Sequence, residues 1–273
     1  MCGELERDDG VSVFGEDVGR AGGVFRATQG LMDDFPDRVF DSPVAQAGIV
    51  GAGVGLAATG LTSVPGIQFQ RFLYQGFHQL TQHVARMHSR TRGTVSCPMT
   101  IRTPYGGGIH ALELHSESFE GGFAHVPGLK VVIPASPAET AGLLRRAIRN
   151  PDLVVVVEPT RLYRSFREEL PEDHEIPLGE ARVVESGEDV TVVAWGSMLR
   201  ETLDAVGDVD ASVEVVDPRS CTRWTLAPSR VRFARPAGAS SSARRPARPG
   251  WAPRSPPGST RRRFSTSKRR SSG

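Results

Sequence analysis

Cysteine is scarce in this chain. Cys2, Cys97 and Cys221 are all it has, and their spacing fits neither a metal-ligand set nor a disulfide framework, which points to a reducing compartment. The N-terminus, MCGELERDDG, is charged and has no apolar core of the kind a signal peptide needs. The longest run of small apolar residues, Ala47 to Leu61, is broken by glycine and too short to span a bilayer. A soluble, cytoplasmic chain with no membrane partner is expected. Phosphate-cradling P-loops, zinc spacings and hydrolase elbows are also absent. Acidic residues are missing from one end only: Cys221 to Gly273 holds 14 Lys or Arg and no Asp or Glu, while the first 220 residues hold 19 basic and 31 acidic side chains. The overall charge of +2 therefore joins a piece of −12 to a piece of +14, and does not describe one mildly basic protein.

What is present before residue 221 is ample for a well-buried core. Short β-branched runs at Val11–Phe14, Ile67–Phe69, Met99–Arg102, Lys130–Ile133, Leu153–Val157 and Val190–Ala194 read as buried strands. Helices are expected between most of them. The clearest starts at Ser136, a hydroxyl cap followed by Pro137 and by Glu139 three residues on, with Leu144, Ala147 and Ile148 on one face and Arg145, Arg146 and Arg149 near its end. Such alternation implies an α/β fold with a parallel sheet covered on both faces. A Glu- and Pro-rich stretch at Phe166–Pro177 reads as a linker before a strand–helix–strand unit from Ala181 to Asp217.

GAGVGLAATG at 51–60 resembles a dinucleotide fingerprint only superficially, because Leu56 occupies its last glycine position and Val44–Ile49 does not read as a strand. The alternative is a helix whose Ala47, Gly51, Gly55 and Thr59 share one face for close backbone approach. That face serves either internal packing or a subunit contact.

Four segments carry most of the information: VFGEDVG at 13–19 with GGVFRAT at 22–28, DSPVAQAGIVGAGVG at 41–55, IQFQRFLYQGF at 67–77, and HSESFEGGFAHVPGLKVVIP at 115–134. Each joins a strand end or helix start to a polar or glycine cluster, where open parallel sheets bind ligands. In this order they resemble the β subunit of the thiamine-diphosphate-dependent first component of 2-oxoacid dehydrogenase complexes, the pyruvate and branched-chain enzymes. The likeness runs from about Leu5 to Ser220.

The resemblance implies a transketolase-like pyrimidine-binding domain at 1–175, a truncated start of the family's C-terminal domain at 176–220, and a basic, disordered tail at 221–273. It implies an α2β2 enzyme that decarboxylates a 2-oxoacid and passes the acyl group to a lipoyl-bearing acyltransferase. Its partners are then an α subunit, a second β subunit and that acyltransferase. No GDG followed by an Asn pair occurs here, so the magnesium and diphosphate half of the cofactor site falls to the α subunit.

By the same resemblance Gln46 stands where the family has the glutamate that protonates the cofactor's pyrimidine. An amide hydrogen-bonds but cannot transfer a proton at neutral pH, so activity of this copy is in question. Phe72 matches the aromatic residue that stacks on the pyrimidine, Glu16 a carboxylate near the cofactor glutamate, and His115 a histidine facing the substrate adduct or lipoyl group, a task that suits a side chain titrating near neutral pH. Without the resemblance these would read as a first-turn residue, a core phenylalanine, a loop carboxylate and a helix-start cap. A monovalent-cation loop, potassium by preference, is implied at Met99, Ala147, Ile148, Asn150 and Asp152.

After Asp217–Arg219–Ser220 the chain turns to Arg, Pro, Ser, Ala and Gly without periodicity, the composition of GC-rich coding DNA translated out of frame. A nucleic-acid-binding arm is the alternative, with Arg261–Arg263 on phosphates and Trp224, Trp251 and Phe264 stacking on bases. A further reading is a non-catalytic paralogue that only binds an α subunit.

Overall fold

The computed structural model describes residues 1–222 and 224–226. In chain order the elements are α1 (Cys2–Arg7), β1 (Val11–Gly15), α2 (Leu31–Asp34), β2 (Val39–Asp41), α3 (Gln46–Ala58), β3 (Thr62–Gly66), a 3-10 turn at Gln70–Gly76, a π-helical turn at Gln79–Val84 and α4 (Ala85–Arg90). There follow β4 (Thr100–Tyr105), α5 (Glu120–Ala124), β5 (Lys130–Val132), α6 (Pro137–Ile148), β6 (Val154–Pro159), β7 (Glu180–Glu185), β8 (Val190–Val193), α7 (Ser197–Val206), β9 (Val213–Asp217) and β10 (Thr225–Leu226).

Six strands form one parallel sheet in the order β2-β1-β3-β4-β6-β5. Their side chains alternate between two cores: Val11, Val13, Val154 and Val156 pack with Leu5, Leu143 and Ile148, whereas Phe14, Val155 and Val157 pack with Ile49, Val50 and Leu73. Both faces are thus covered, as a parallel sheet requires. The second sheet, β10-β7-β9-β8, is smaller and mixed, with β7 antiparallel to β9. α6 is capped as its sequence specifies: Glu139 N–H donates to Ser136 Oγ at 3.3 Å, and Pro137 sits in the first turn. No helix among the described residues is long and apolar enough to cross a membrane.

Three expectations need correction, and one open alternative narrows. The run at Val190–Ala194 does form a strand, β8, but not a buried one: it is an edge strand of the smaller sheet, with Val190 and Val193 51% and 36% exposed. The strand anticipated at Ile67–Phe69 lies earlier, at Thr62–Gly66, and includes Pro65. Ser63 and Ile67 N–H groups donate to the Pro98 and Arg102 carbonyls at 3.0 and 2.9 Å; the rung between them falls to residue 65, which as proline has no N–H to give. A proline inside a central strand is tolerated here because β1 still pairs along all five residues of β3.

The small-residue face of α3 does not pack internally. Gly51 and Gly55 are exposed, and the buried glycine is Gly53, where a Cβ would come within 2.6 Å of Met99 Sδ.

The ordered chain also continues past Ser220. Cys221 N–H donates to the Val131 carbonyl at 3.0 Å, Thr222 Oγ1 accepts from Val131 N–H at 3.1 Å, and Thr225–Leu226 pairs with Glu180–Ala181. The remaining tail, residue 223 and residues 227–273, lies outside the described residues, and with it the readings of that segment as disordered, frameshifted or nucleic-acid-binding.

Candidate functional site

Successive strands of the larger sheet deliver the four candidate residues from their C-terminal ends. Glu16 follows β1 directly, Gln46 opens α3 after β2, Phe72 lies in the 3-10 turn after β3, and His115 lies in a short 3-10 segment after β4. That edge of a parallel sheet, where the strand order reverses, is the usual place for a ligand.

Gln46 is 1% exposed. Its Nε2 donates to Glu16 Oε2 at 3.1 Å, while its Oε1 is buried without a partner. Burial, and then the neighbouring Asp17, push the Glu16 carboxyl above the usual range. Gly76 lets the 3-10 turn close on α3: a Cβ there would meet Val50 Cγ2 at 2.9 Å and the Gln46 carbonyl at 3.1 Å.

The aromatic half of the site is built on that turn. Phe72 lies edge-to-face with Phe69 at 5.6 Å and with His115 at 5.4 Å between ring centroids, and Phe69 meets His115 at 4.4 Å. The His115 ring is held by a hydrogen bond between Nδ1 and the Leu112 carbonyl at 2.9 Å. Gln70, buried in the same turn, accepts from Phe119 N–H through Oε1 at 2.6 Å and leaves its Nε2 unpaired. Two contacting groups therefore form, Gln46 with Glu16 and Phe72 with Phe69 and His115, linked by the packing of the turn on α3.

Sequence reasoning missed Phe69 and Gln70, although both lie in IQFQRFLYQGF. It also missed the buried Arg102, whose guanidinium grips Glu158 through two bonds of 2.7 and 2.9 Å while the Tyr163 hydroxyl donates to the same carboxylate. Nothing local links Arg102 to Glu158; β4–β6 pairing brings them together.

The cation-loop residues sit at the opposite edge of the sheet, ahead of β4 and β6. Asn150 Oδ1 accepts from Lys130 Nζ at 2.8 Å and from Asp152 N–H at 3.0 Å, and Asp152 Oδ2 lies 3.4 Å from the same ammonium. The carbonyls of Met99 and Ala147 accept from Val154 and Asn150 N–H, each at 3.0 Å. The side chain of Ile148 is buried in the core. A lysine ammonium thus already serves both side-chain oxygens. Among the described residues no cluster of three or more His, Cys, Asp or Glu side chains is arranged to hold a metal ion.

Comparison with known proteins places this fold and edge in a class. Residues 1–165 match the transketolase pyrimidine binding domain, and residues 179–233 match the transketolase C-terminal domain. A solved structure described as split gene transketolase, inactive beta4 tetramer, shares the fold with a TM-score of 0.63 at 20% identity, over 80% of this chain and 67% of that one.

The likeness to one particular group is much closer. Pyruvate dehydrogenase E1 component subunit beta of Acholeplasma laidlawii is 50% identical over 221 residues, 79% of this chain and 68% of the relative. The proteins of that name from Staphylococcus epidermidis and Staphylococcus aureus are 49% and 46% identical over 222 residues. This chain belongs to the family of pyruvate dehydrogenase E1 component β subunits.

Proposed function

We propose that the chain supplies the pyrimidine half of a thiamine diphosphate site in an α2β2 2-oxoacid dehydrogenase of the cytoplasm, whose acyl product passes to a lipoyl acyltransferase. Its pyrimidine-binding unit is taken as residues 1–175, and the following unit begins at 176. The observation that carries this reading is the buried Gln46 amide at the head of α3, bonded to the half-buried Glu16 and left with an orphaned oxygen beside the turn that bears Phe72. A buried polar atom without a partner is rare and asks for one. A ring bearing both donors and acceptors, such as an aminopyrimidine, would satisfy it, and Phe72 would pack on that ring.

When bound, thiamine diphosphate supplies the electron sink that lets a 2-oxoacid lose carbon dioxide. The protein's part is to bind and orient. Gln46 would hold the ring edge, Glu16 fixes the Gln46 amide, and His115, fixed by the Leu112 carbonyl, would present Nε2 as the nitrogen left to meet substrate. No GDG followed by an Asn pair occurs in the sequence, and on the family resemblance the magnesium and diphosphate half is assigned to the α subunit. Potassium at the Asn150–Asp152 loop remains part of the proposal and would have to share its oxygens with Lys130. The exposed small face of α3 is assigned to a subunit contact, with the α subunit or a second β subunit.

An alternative reading, a copy that binds an α subunit without catalysis, is favoured by one observation: Gln46 cannot exchange a proton. The experiment is Gln46→Glu. In complex with an α subunit, model decarboxylation with an artificial electron acceptor should rise by ~10²-fold or more, the usual worth of a positioned acid–base group. Equal rates in a confirmed complex would remove Gln46 from the site. Thiamine diphosphate titrated into the chain alone should give no heat of binding.

A further inference from the structure

Between Asp41 and Glu113 the sequence holds no carboxylate side chain, and within that stretch three histidines recur at five-residue spacing, His78, His83 and His88. In an α-helix, residues five apart are turned about 140° from one another around the axis and cannot meet on one face. Gln79–Val84 is wound instead as a π-helical turn, whose i→i+5 hydrogen bonds bring residues five apart into line. Thr81 takes part in this departure: its hydroxyl donates to the Phe77 carbonyl at 2.9 Å, competing with the α-helical ladder for that acceptor. The result is that the His78 and His83 rings touch, 5.3 Å between centroids and 71° between planes. Both side chains are exposed. His88 lies beyond the π turn on α4, with Nδ1 3.6 Å from Asp152 Oδ1.

We propose that His78 and His83 form a surface site for one divalent transition-metal ion of the copper, nickel and zinc class, each giving one imidazole nitrogen, with water in the remaining positions. A metal–nitrogen bond of about 2.1 Å sets each ring centroid roughly 3.2 Å from the ion, so two rings at square or tetrahedral angles stand roughly 4.5–5.3 Å apart. The observed 5.3 Å lies at the tetrahedral end of that range. The ligands decide which ions qualify. Arg86 lies three residues from His83 with its Nε bonded to the Thr81 carbonyl at 3.0 Å, and no carboxylate lies on this segment. Calcium and magnesium prefer oxygen ligands, carboxylates above all. An ion with high affinity for imidazole suits the pair, and copper should bind tightest. This site is separate from the thiamine diphosphate reading and does not depend on it.

The test is calorimetric titration of the full chain, its thiols alkylated, with copper, zinc and nickel chlorides at pH 7.5, alongside His78→Ala, His83→Ala and His88→Ala. One equivalent should bind. Loss of either member of the pair should weaken binding by ~10²-fold, because the second bond of a chelate forms at high effective concentration. His88→Ala should bind as wild type, and magnesium should give no heat. Pulsed electron paramagnetic resonance of the copper form should show two imidazole nitrogens in the wild type and one in each variant of the pair. Wild-type affinity in His78→Ala or His83→Ala, loss of binding in His88→Ala, or a single imidazole signal in the wild type would overturn the proposal. Exposed positions make misfolding of the variants easy to check by circular dichroism.

Discussion

Two polar clusters lie at the C-terminal edge of the larger sheet, where Arg102, Glu158 and Tyr163 of one and Glu16 of the other line a small cavity of about 40 Å³, and they are completed to different degrees. On one side Arg102 and Glu158 meet through two hydrogen bonds, and Tyr163 adds a third. On the other, Gln46 and Glu16 share a single bond and leave Gln46 Oε1 unmet. The closed cluster satisfies itself and ties β4 to β6. The open one, with its neighbour Gln70, keeps polar atoms in reserve at the cost of their desolvation. Gln46 Oε1 and Gln70 Nε2 are two of several buried side-chain atoms without a partner, Asp217 Oδ2 and Arg182 Nε being others, and what sets the first two apart is their place at the C-terminal edge of the larger sheet, where parallel sheets bind ligands. A cavity of about 790 Å³ among the described residues lies apart from both and is lined by Cys97, Lys130, Asp152 and Cys221, among others.

The sharpest way to break this comparison is to cut the closed cluster. Glu158→Ala leaves Arg102, 8% exposed, with an uncompensated buried charge, and should cost about 3–5 kcal/mol in urea unfolding. A loss under 1 kcal/mol would mean that the pair is not closed in solution.

A third cluster, where the smaller sheet meets α6, tests the same idea by pH. Arg219 Nε donates to Glu139 Oε1 at 2.8 Å, and Arg182 lies 3.1 Å from that oxygen without hydrogen-bond alignment. Asp217 Oδ1 accepts from Arg219 N–H while Oδ2 is unpaired. Burial first, then Glu139, push the Asp217 carboxyl up to about 7 from 3.8. The folded state therefore holds a proton that the unfolded state has lost, so this contribution is fully present below pH 4, fades as pH rises, and is gone above about 7. The slope should be about 1 kcal/mol per pH unit in that window. It should show as the difference between the stability curves of wild type and Asp217→Asn, which cannot titrate. Parallel curves would place the proton elsewhere.

The smallest effect is expected where the open cluster is simply removed. Gln46→Met keeps the volume and deletes an amide with an unmet oxygen, so stability should stay within about 1 kcal/mol or rise. A loss of several kcal/mol would show that the Gln46–Glu16 bond is structural, and the contrast with Glu158 would fail.

Much of the fold was legible in the residues themselves. Ser136, Pro137 and Glu139 specify the start of α6 within four residues, and the β-branched runs at Leu153–Val157 and Lys130–Ile133 could be little else than strands buried on both faces. Gln46, Glu16, Phe72 and His115 were named from the family resemblance, and each follows the C-terminal end of one of the strands β1 to β4. The strand at Thr62–Gly66 was misplaced because Pro65 and Gly66 are local breakers, and only pairing with β1 overrides them.

By itself, then, the sequence determined the alternation of strands and helices, the caps, and the segments that carry chemistry, since those signals act over one or two turns of chain. Tertiary structure alone decided which of those groups meet: Gln46 with Glu16 across thirty positions, Arg102 with Glu158 across fifty-six, and His78 with His83 across a turn that an α-helix would have held apart. Contacts of that kind depend on strand order and on how a backbone is wound under packing, and neither is written in the spacing of the residues that make them.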